Sequence, residues 1–320
     1  MLGTGCLAEP PTAMLTLHVV NQNGMPVEDT AIVATFEGGK TDVTLWPNKN
    51  GYVTFRSPVL GTALLRNKVC HDIRHPDVHS KYYETSLEYQ YFSPSKNAVE
   101  GKWMPWNPTI EMVLKERKKP IPMYAKGRAT SMCLPKHNAW CGFDMEENDW
   151  VAPFGNGKHP DIEIRHLWDG KKGKEYTGSS LTIRFIDEKA GCYPFQYKDQ
   201  KLYDFWEFRS PYHAIPSASF APTMEFYKRL NLKTLKWDSH LFPNGTGYVF
   251  RTRTRFDNEG KMVGARYGKI YQPLSSLFYL VNNDCKIRLP FYLNPIENDI
   301  NLEFDPKRNL LRDVRGNIQP

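Results

Sequence analysis

The residues best suited to chemistry in this sequence are concentrated between positions 133 and 161. Cys133, His137 and Cys141 recur at intervals of four, and thiolate and imidazole are ligands that Zn²⁺ prefers in structural sites. The segment shows no fourth ligand at a matching interval, and Pro135 opposes a regular helix here. A disulfide bond between Cys133 and Cys141 is the competing interpretation, and it is favoured if the protein is exported.

The same segment is rich in carboxylates. They are Asp144, Glu146, Glu147, Asp149 and Asp161. Two carboxylates facing each other across a cleft suit glycoside hydrolysis, so a metal-assisted or carboxylate hydrolase centred on residues 133–161 is one hypothesis. The chain contains no nucleophile elbow, H-E-x-x-H pair, P-loop or dinucleotide fingerprint. The sequence therefore favours a non-catalytic protein, and it predicts no cofactor.

Two sets of residues suit recognition instead. Trp103 and Trp106 lie in a proline-bounded loop, and Arg251, Arg253 and Arg255 alternate along a predicted strand. Indole rings stack on sugars or on aromatic side chains, and guanidinium groups bind carboxylate and sulfate in pairs of hydrogen bonds. They predict a binding surface for an acidic glycan or a protein partner. The alternatives are tryptophans that cap a core and arginines paired with acidic residues across the sheet.

The elements that position these residues are predicted to be strands. Of the 320 residues 13% are aromatic, and 24 Pro and 22 Gly divide the chain into short segments, a composition typical of sandwiches and barrels. The length suits two domains. The formal charge is +7, but no Lys/Arg block is long enough for a nucleic-acid-binding arm.

The second module, residues 120–320, is predicted to be a β-sandwich or jelly-roll-like domain. Its strongest strand pair is Gly247–Phe256 followed by Met262–Tyr271, joined by the hairpin loop Asp257–Lys261. One short helix is expected at Thr223–Leu232, because Met224, Tyr227 and Leu230 recur at three-residue spacing after a capping threonine. We recognise no named family in this module.

The first module, residues 14–119, carries a more specific pattern. Two strands and two turns are marked by Gly24, Pro26, Val27, Val33, Gly51, Val53 and Phe55. Over roughly residues 14–60 this resembles the carboxypeptidase-regulatory-like module, a transthyretin-like β-sandwich of bacterial envelope proteins. The resemblance implies a spacer or binding module. The chain departs from the family at residues 57–80, which are long and irregular.

Two flanking segments complete the predicted organisation. Pro120 and Pro122 favour extended backbone before them, so the modules are expected to be joined by a short, stiff connector. Residues 1–13 are expected to be flexible, and Leu2–Cys6 resembles the end of a lipoprotein signal without its charged and apolar regions. Cys6 is therefore a lipidation candidate, and membrane contact is expected only through it. The expected location is the bacterial cell envelope, either periplasm or cell surface. The expected role is binding or structural, and a subunit of a larger extracellular assembly is a further alternative.

Overall fold

The computed structural model describes residues 11–35, 42–58, 64–69, 81–83, 86–90, 98–127, 130–168, 176–196, 211–240, 246–270, 278–281, 284–312, 314 and 318. Regular structure in these segments is entirely β, without a helix. The described residues form two compact units, one up to Lys118 and the other from Lys119 onward. The prediction of an all-β chain built from sandwich-like sheets is confirmed.

The described strands of the first unit form two sheets. Its described strands are β1 (Thr12–Asn21), β2 (Ile32–Thr35), β3 (Asp42–Leu45), β4 (Tyr52–Pro58), β5 (Leu64–Val69), β6 (Ser86–Gln90), β7 (Ala98–Val99), β8 (Lys102–Trp103) and β9 (Thr109–Leu114). In one sheet β1 runs antiparallel to β4 and parallel to β9. In the other, β2 lies between β3 and β5.

The core of the first unit lies between these two sheets. Leu15, Leu17 and Val19 alternate along β1 and are 0% exposed, as the period-two pattern predicts. They belong to the same apolar cluster as Ile32 and Ala34 of β2. These alternate residues therefore form the inward face of β1.

The second unit is larger and contains three sheets. Its described strands are β10 (Ile121–Lys126), β11 (Met132–Cys133), β12 (Cys141–Asp144), β13 (Asp149–Trp150), β14 (Ile162–Trp168), β15 (Tyr176–Phe185), β16 (Gly191–Gln196), β17 (Thr223–Asn231), β18 (Trp237–His240), β19 (Thr246–Phe256), β20 (Met262–Ile270), β21 (Phe278–Val281), β22 (Asp284–Ile287), β23 (Phe291–Leu293) and β24 (Phe304–Asn309). The β14 sheet has the order β13-β12-β14-β15-β17-β18. The β19 sheet has the order β16-β19-β20-β23-β10-β24, and the β22 sheet has the order β11-β22-β21.

One apolar core joins the three sheets of the second unit. It combines Ile164 and Leu181 of the β14 sheet, Phe250 and Phe291 of the β19 sheet, and Ile287 of the β22 sheet. All five side chains are 0% exposed. The β19 sheet is buried on its other face too, by clusters that include Val249 and Tyr292. The described apolar clusters cover only one face of the β14 sheet, so its outer face and strand ends are free to carry a site.

The predicted short helix at Thr223–Leu232 is wrong. The segment forms β17, which pairs antiparallel with β15 along its whole length. Met224 and Phe226 are both buried, so the inward positions recur every two residues rather than every three or four. The three-residue spacing that suggested a helix combines residues from opposite faces of a strand.

The predicted connector is part of the second unit. Ile121 begins β10 and pairs with Phe304 of β24. The Lys119 N–H donates to the Glu303 carboxylate at 2.5 Å, and Asn301 Nδ2 donates to the Lys119 carbonyl at 2.7 Å. These bonds integrate the proline-containing stretch into the sheet at its start.

The predicted hairpin loop after β19 is confirmed. Asp257 Oδ1 accepts hydrogen bonds from the N–H groups of Glu259 and Lys261 at 3.0 and 2.8 Å. Gly260 adopts the left-handed backbone, with φ of 76°. The loop joins β19 directly to β20.

One earlier expectation, the lipidation candidate Cys6, lies outside the described residues. Among the residues that the structure describes, no helix has the length and apolarity that a membrane crossing requires.

Candidate binding surface

The face of the β14 sheet that packs on the core continues past the edge of the core, where its side chains are exposed. Along β14 the side chains of Ile162, Ile164 and His166 are each 0% exposed, whereas Trp168, the next residue of the same parity, is 53% exposed. Alternate residues of a strand share a face. The face that is buried at the start of β14 therefore carries an exposed indole at its end.

The neighbouring strands continue this face. Trp168 pairs with Ser179 of β15, Ser179 with Lys228 of β17, and Lys228 with Ser239 of β18. Trp237 lies two residues before Ser239 and is 62% exposed. We call the side chains of Trp168, Ser179, Lys228, Trp237 and Ser239 the tryptophan face. It spans four strands, or about 14 Å between the outermost backbones at ~4.8 Å per strand.

A cation–π contact organises part of this face. Lys228 Nζ lies 4.9 Å from the ring centroid of Trp237, within the range in which an ammonium group is attracted to an indole. The contact holds a positive charge between the two tryptophans. Ser239 adds an exposed hydroxyl group in the same row, whereas Ser179 is 8% exposed. Together the exposed groups provide two flat apolar surfaces, one cation and one hydroxyl group.

A histidine pair closes the core beneath the tryptophan face. His166 Nδ1 lies 3.0 Å from His137 Nδ1, and the His166 ring contacts Phe278 edge-on at 5.7 Å. Burial, together with the charge of His137, lowers the pKa of His166 to about 4. His166 is therefore neutral at physiological pH, with one nitrogen of the pair donating and the other accepting.

The outer face of the same sheet is polar and its rings are already paired. Tyr227 stacks on His240 at 5.9 Å, and the Arg229 guanidinium lies 4.8 Å from the Tyr227 ring. Trp140 is covered by the guanidinium group of Arg184 at 3.9 Å. Trp140 and Tyr227 are half-buried, so they offer less ring surface than the exposed Trp168 and Trp237 do.

The predicted row of three arginines does not exist as a row. A bulge interrupts the pairing of β19 with β20 after Thr252, and Arg253 adopts φ of 52°, a left-handed conformation that is uncommon outside glycine. A bulge adds a residue to one strand and turns the side chains that follow it. The prediction that Arg251, Arg253 and Arg255 share one exposed face is therefore wrong.

Each of these arginines has a separate structural role. Arg251 is 8% exposed, and its guanidinium donates to the carbonyl groups of Lys189 and Pro216 at 2.6 and 3.2 Å. Arg255 pairs with Glu297 at the surface, with Nη2 2.6 Å from Oε2. The alternative interpretation, arginines paired with acidic residues, describes Arg255, whereas Arg251 is held by carbonyl groups.

Arg253 is the centre of a buried ionic network. Its guanidinium donates to Asp144 at 2.9 Å, to Asp161 at 2.8 Å and to Glu146 at 2.6 Å. The side chains of Asp144 and Asp161 are 2% and 0% exposed. Arg266 also contacts the Glu146 carboxylate. The network fastens the acidic segment to the bulge of β19.

The carboxylates of the acidic segment shape its turns. Asp144 accepts hydrogen bonds from the N–H groups of four residues that follow it, Glu146, Glu147, Lys158 and His159. Asp161 accepts one from the N–H of Met145 at 2.8 Å. Both carboxylates are saturated and inaccessible, so neither can serve a substrate as the general acid or base of the hydrolase hypothesis.

The predicted tryptophan pair of the first unit is only partly accessible. Trp103 is 0% exposed and belongs to the core, which corrects its assignment as a ligand contact. Trp106 is half-buried, and Lys102 Nζ lies 5.3 Å from its ring. Trp103 therefore caps a core, as the alternative interpretation states.

The candidate metal and disulfide residues do not converge. Cys133 and Cys141 are both free thiols, the first exposed and the second buried, so the predicted disulfide bond is wrong. Cys141 Sγ faces the Lys136 carbonyl at 3.7 Å, whereas His137 faces His166. Within the described part of the chain, no three His, Cys, Asp or Glu side chains are grouped as metal ligands would be.

Sequence reasoning missed Trp168 and Trp237. One signal for Trp168 was available, because it continues the alternation of Ile162, Ile164 and His166. Trp237 could be placed only after the segment before it was recognised as a strand. The helix expected there concealed the hairpin of β17 and β18.

Comparisons with known proteins give little guidance. No protein-family model and no curated protein matches the sequence. Among solved structures, a DUF3823 family protein from Parabacteroides merdae is 10% identical with a TM-score of 0.22, over 92% of this chain and 100% of that chain. A protein of Bacteroides uniformis proposed to bind carbohydrate is 10% identical with a TM-score of 0.20, over 91% of this chain and 100% of its own. Likeness at these TM-scores carries no argument about this chain.

Proposed function

We propose that this protein is a non-catalytic binding component and that its tryptophan face contacts a glycan bearing carboxylate or sulfate groups. The observation that carries the proposal is the pair of tryptophans, 53% and 62% exposed, on one continuous sheet face. Burying an apolar ring lowers the free energy of binding in proportion to the area covered. Exposed indoles with a polar surround are typical of interaction sites.

The charge of the face supports an acidic ligand. Lys228 is exposed and lies over Trp237, and the formal charge of the chain is +7. A cation beside a stacking platform attracts a carboxylate or sulfate group and fixes the orientation of the sugar. This replaces the arginine row of the sequence-based hypothesis, since those arginines have partners within the protein.

We further propose that the protein works in the bacterial cell envelope. Support comes from the resemblance of residues 14–60 to the carboxypeptidase-regulatory-like module and from the lipoprotein-like Leu2–Cys6. In this arrangement the first unit is a spacer and the second unit carries the ligand surface. A lipid at Cys6 would be the attachment to the membrane.

A glycan array tests the ligand proposal. The wild-type protein and the variants Trp168→Ala and Trp237→Ala are compared on uronic-acid, sulfated and neutral glycans, with Trp46→Ala as the control because Trp46 is also exposed, at 40%, but lies in the first unit. Truncating a central aromatic anchor costs about 2 kcal/mol, or roughly thirtyfold in affinity. We expect that loss for Trp168→Ala and Trp237→Ala only. Unchanged binding by both variants contradicts the proposal.

A protein partner is the second candidate. Among the described strands, β18 ends the β14 sheet, and its four residues are all exposed. Open strand edges pair with added strands. Light scattering on the array samples separates the two cases, because self-association through β18 raises the molar mass without any glycan.

A further inference from the structure

Cys133 and Lys286 form a close pair on the β22 sheet. They lie directly opposite each other in the antiparallel pairing of β11 with β22, so their side chains project from the same face. Lys286 Nζ is 2.6 Å from Cys133 Sγ. Neighbouring residues Met132 and Ile287 are 8% and 0% exposed and point to the other side, into the core.

The separation is shorter than two other sulfur contacts of the described residues. Lys126 Nζ lies 3.8 Å from Met132 Sδ, and Cys141 Sγ lies 3.7 Å from the Lys136 carbonyl. The Cys133–Lys286 pair is more than 1 Å closer than either contact. One oxygen atom with single bonds to nitrogen and sulfur spans such a distance.

The environment selects Cys133 for oxidation. Cys133 is exposed, whereas Cys141, Cys192 and Cys285 are buried. Burial raises the pKa of Cys192 to about 12, and burial with the charge of nearby Cys133 raises that of Cys285 to about 12. A thiolate beside a lysine ammonium group is the reactive form of cysteine. Of these four thiols, Cys133 is therefore the one accessible to an oxidant.

We propose that Cys133 and Lys286 are a redox modification site, at which hydroperoxide joins them through an Nζ–O–Sγ bridge. The Cys133 thiolate attacks a peroxide oxygen, the O–O bond breaks, and the departing hydroxide takes a proton from the Lys286 ammonium. The products are a sulfenic acid, one water and a neutral amine. Sulfur has lost two electrons to the first peroxide.

The amine completes the bridge. The Lys286 nitrogen attacks a second peroxide and becomes a hydroxylamine, releasing one water and losing two electrons. The hydroxylamine oxygen then attacks the Cys133 sulfur and displaces the sulfenic hydroxyl as a third water. Two peroxide molecules are consumed for each bridge, which gains one oxygen and loses two hydrogens overall. Two equivalents of a dithiol reverse the change and restore thiol and amine.

The bridge would act as a reversible staple. Its ends are 153 residues apart in sequence, and a covalent link across a long loop restricts the unfolded chain and so stabilises the folded one. It would also fix β11, whose two residues are held to the β22 sheet through this pairing. Oxidation should therefore raise the melting temperature of the full chain, and dithiothreitol should return it to the starting value.

Peptide mapping by mass spectrometry tests the proposal. The full-length protein is treated with hydrogen peroxide, alkylated and digested, alongside Cys133→Ser and Lys286→Arg, the second of which keeps a cation beside the thiol. We expect a linked pair of peptides containing residues 133 and 286, with one oxygen gained and two hydrogens lost, only in the wild type and only before dithiothreitol.

Three outcomes overturn the proposal. One is oxidation of Cys133 to sulfinic acid without linkage, and another is a direct sulfur–nitrogen link that lacks the oxygen. The third is a linked pair that persists in Lys286→Arg. The wild-type mass measurement is decisive by itself, because it requires no variant to fold.

Discussion

Replacing Arg253 by methionine is the sharpest test of the ionic network. The substitution keeps a long flexible side chain and removes the guanidinium that donates to Asp144, Asp161 and Glu146 at 2.9, 2.8 and 2.6 Å. Asp144 and Asp161 are then left with negative charges at 2% and 0% side-chain exposure. The variant therefore measures how much two buried carboxylates without their cation lower the free energy of unfolding.

The expected loss in the free energy of unfolding is about 3 kcal/mol. Removing one partner of a buried ion pair costs about 3–5 kcal/mol. The lower end applies because Asp144 keeps hydrogen bonds from backbone N–H groups, such as those of Lys158 and His159 at 2.9 and 3.0 Å. Those amides should also open more often, because the acidic segment is no longer fastened to β19.

Urea unfolding and amide hydrogen exchange measure these two effects. Arg255→Met is the matched control, since Arg255 lies two residues along the same strand and its pair with Glu297 is 64% and 39% exposed. We expect little change in the control. Equal stabilities of the two variants, or unaltered exchange at Lys158 and His159, would mean that backbone hydrogen bonds alone hold the segment and that the reasoning is wrong.

Two histidines should give opposite pH dependence. The Asp187 carboxylate raises the pKa of His159 above 6.5. The stabilisation of the fold by protonated His159 is therefore present below pH 6.5 and is lost as pH rises through the raised pKa. The urea midpoint should fall over that range in the wild type and fall less in His159→Gln. Burial, followed by the charge of His137, lowers the pKa of His166 from 6.5 to about 4. As pH falls from 6.5 to about 4, this histidine is protonated in the unfolded chain but not in the folded one, so the free energy of unfolding should decrease. His166→Asn should weaken this pH dependence. If either variant keeps the pH dependence of the wild type, the role assigned to that histidine is wrong.

The sequence predicted those parts of the fold that depend on local pattern. The alternation of Leu15, Leu17 and Val19 is enough to place them on one face, and Gly260 lies in the hairpin loop that the sequence predicted, because a strand face and a left-handed backbone are set by neighbouring residues. The segment containing Met224 and Tyr227 was misassigned as a helix, because its partner β15 begins 47 residues earlier, at Tyr176 against Thr223. Tertiary pairing decides such short, ambiguous segments.

The site could not be predicted because its residues are brought together by pairing between strands distant in sequence. Arg253 and Arg255 look equivalent in the sequence, yet a bulge gives Arg253 a left-handed backbone and three carboxylate partners, two of them buried, up to 109 residues away. The same reasoning applies to Trp168 and Trp237, which share a face only because β15 and β17 lie between their strands. Alternation along one strand tells which residues face together; only the register across strands tells whether that face ends in a core, an ion pair or solvent. A search for binding surfaces in β-rich chains should therefore follow each buried face to the end of its strands, where the side chains emerge.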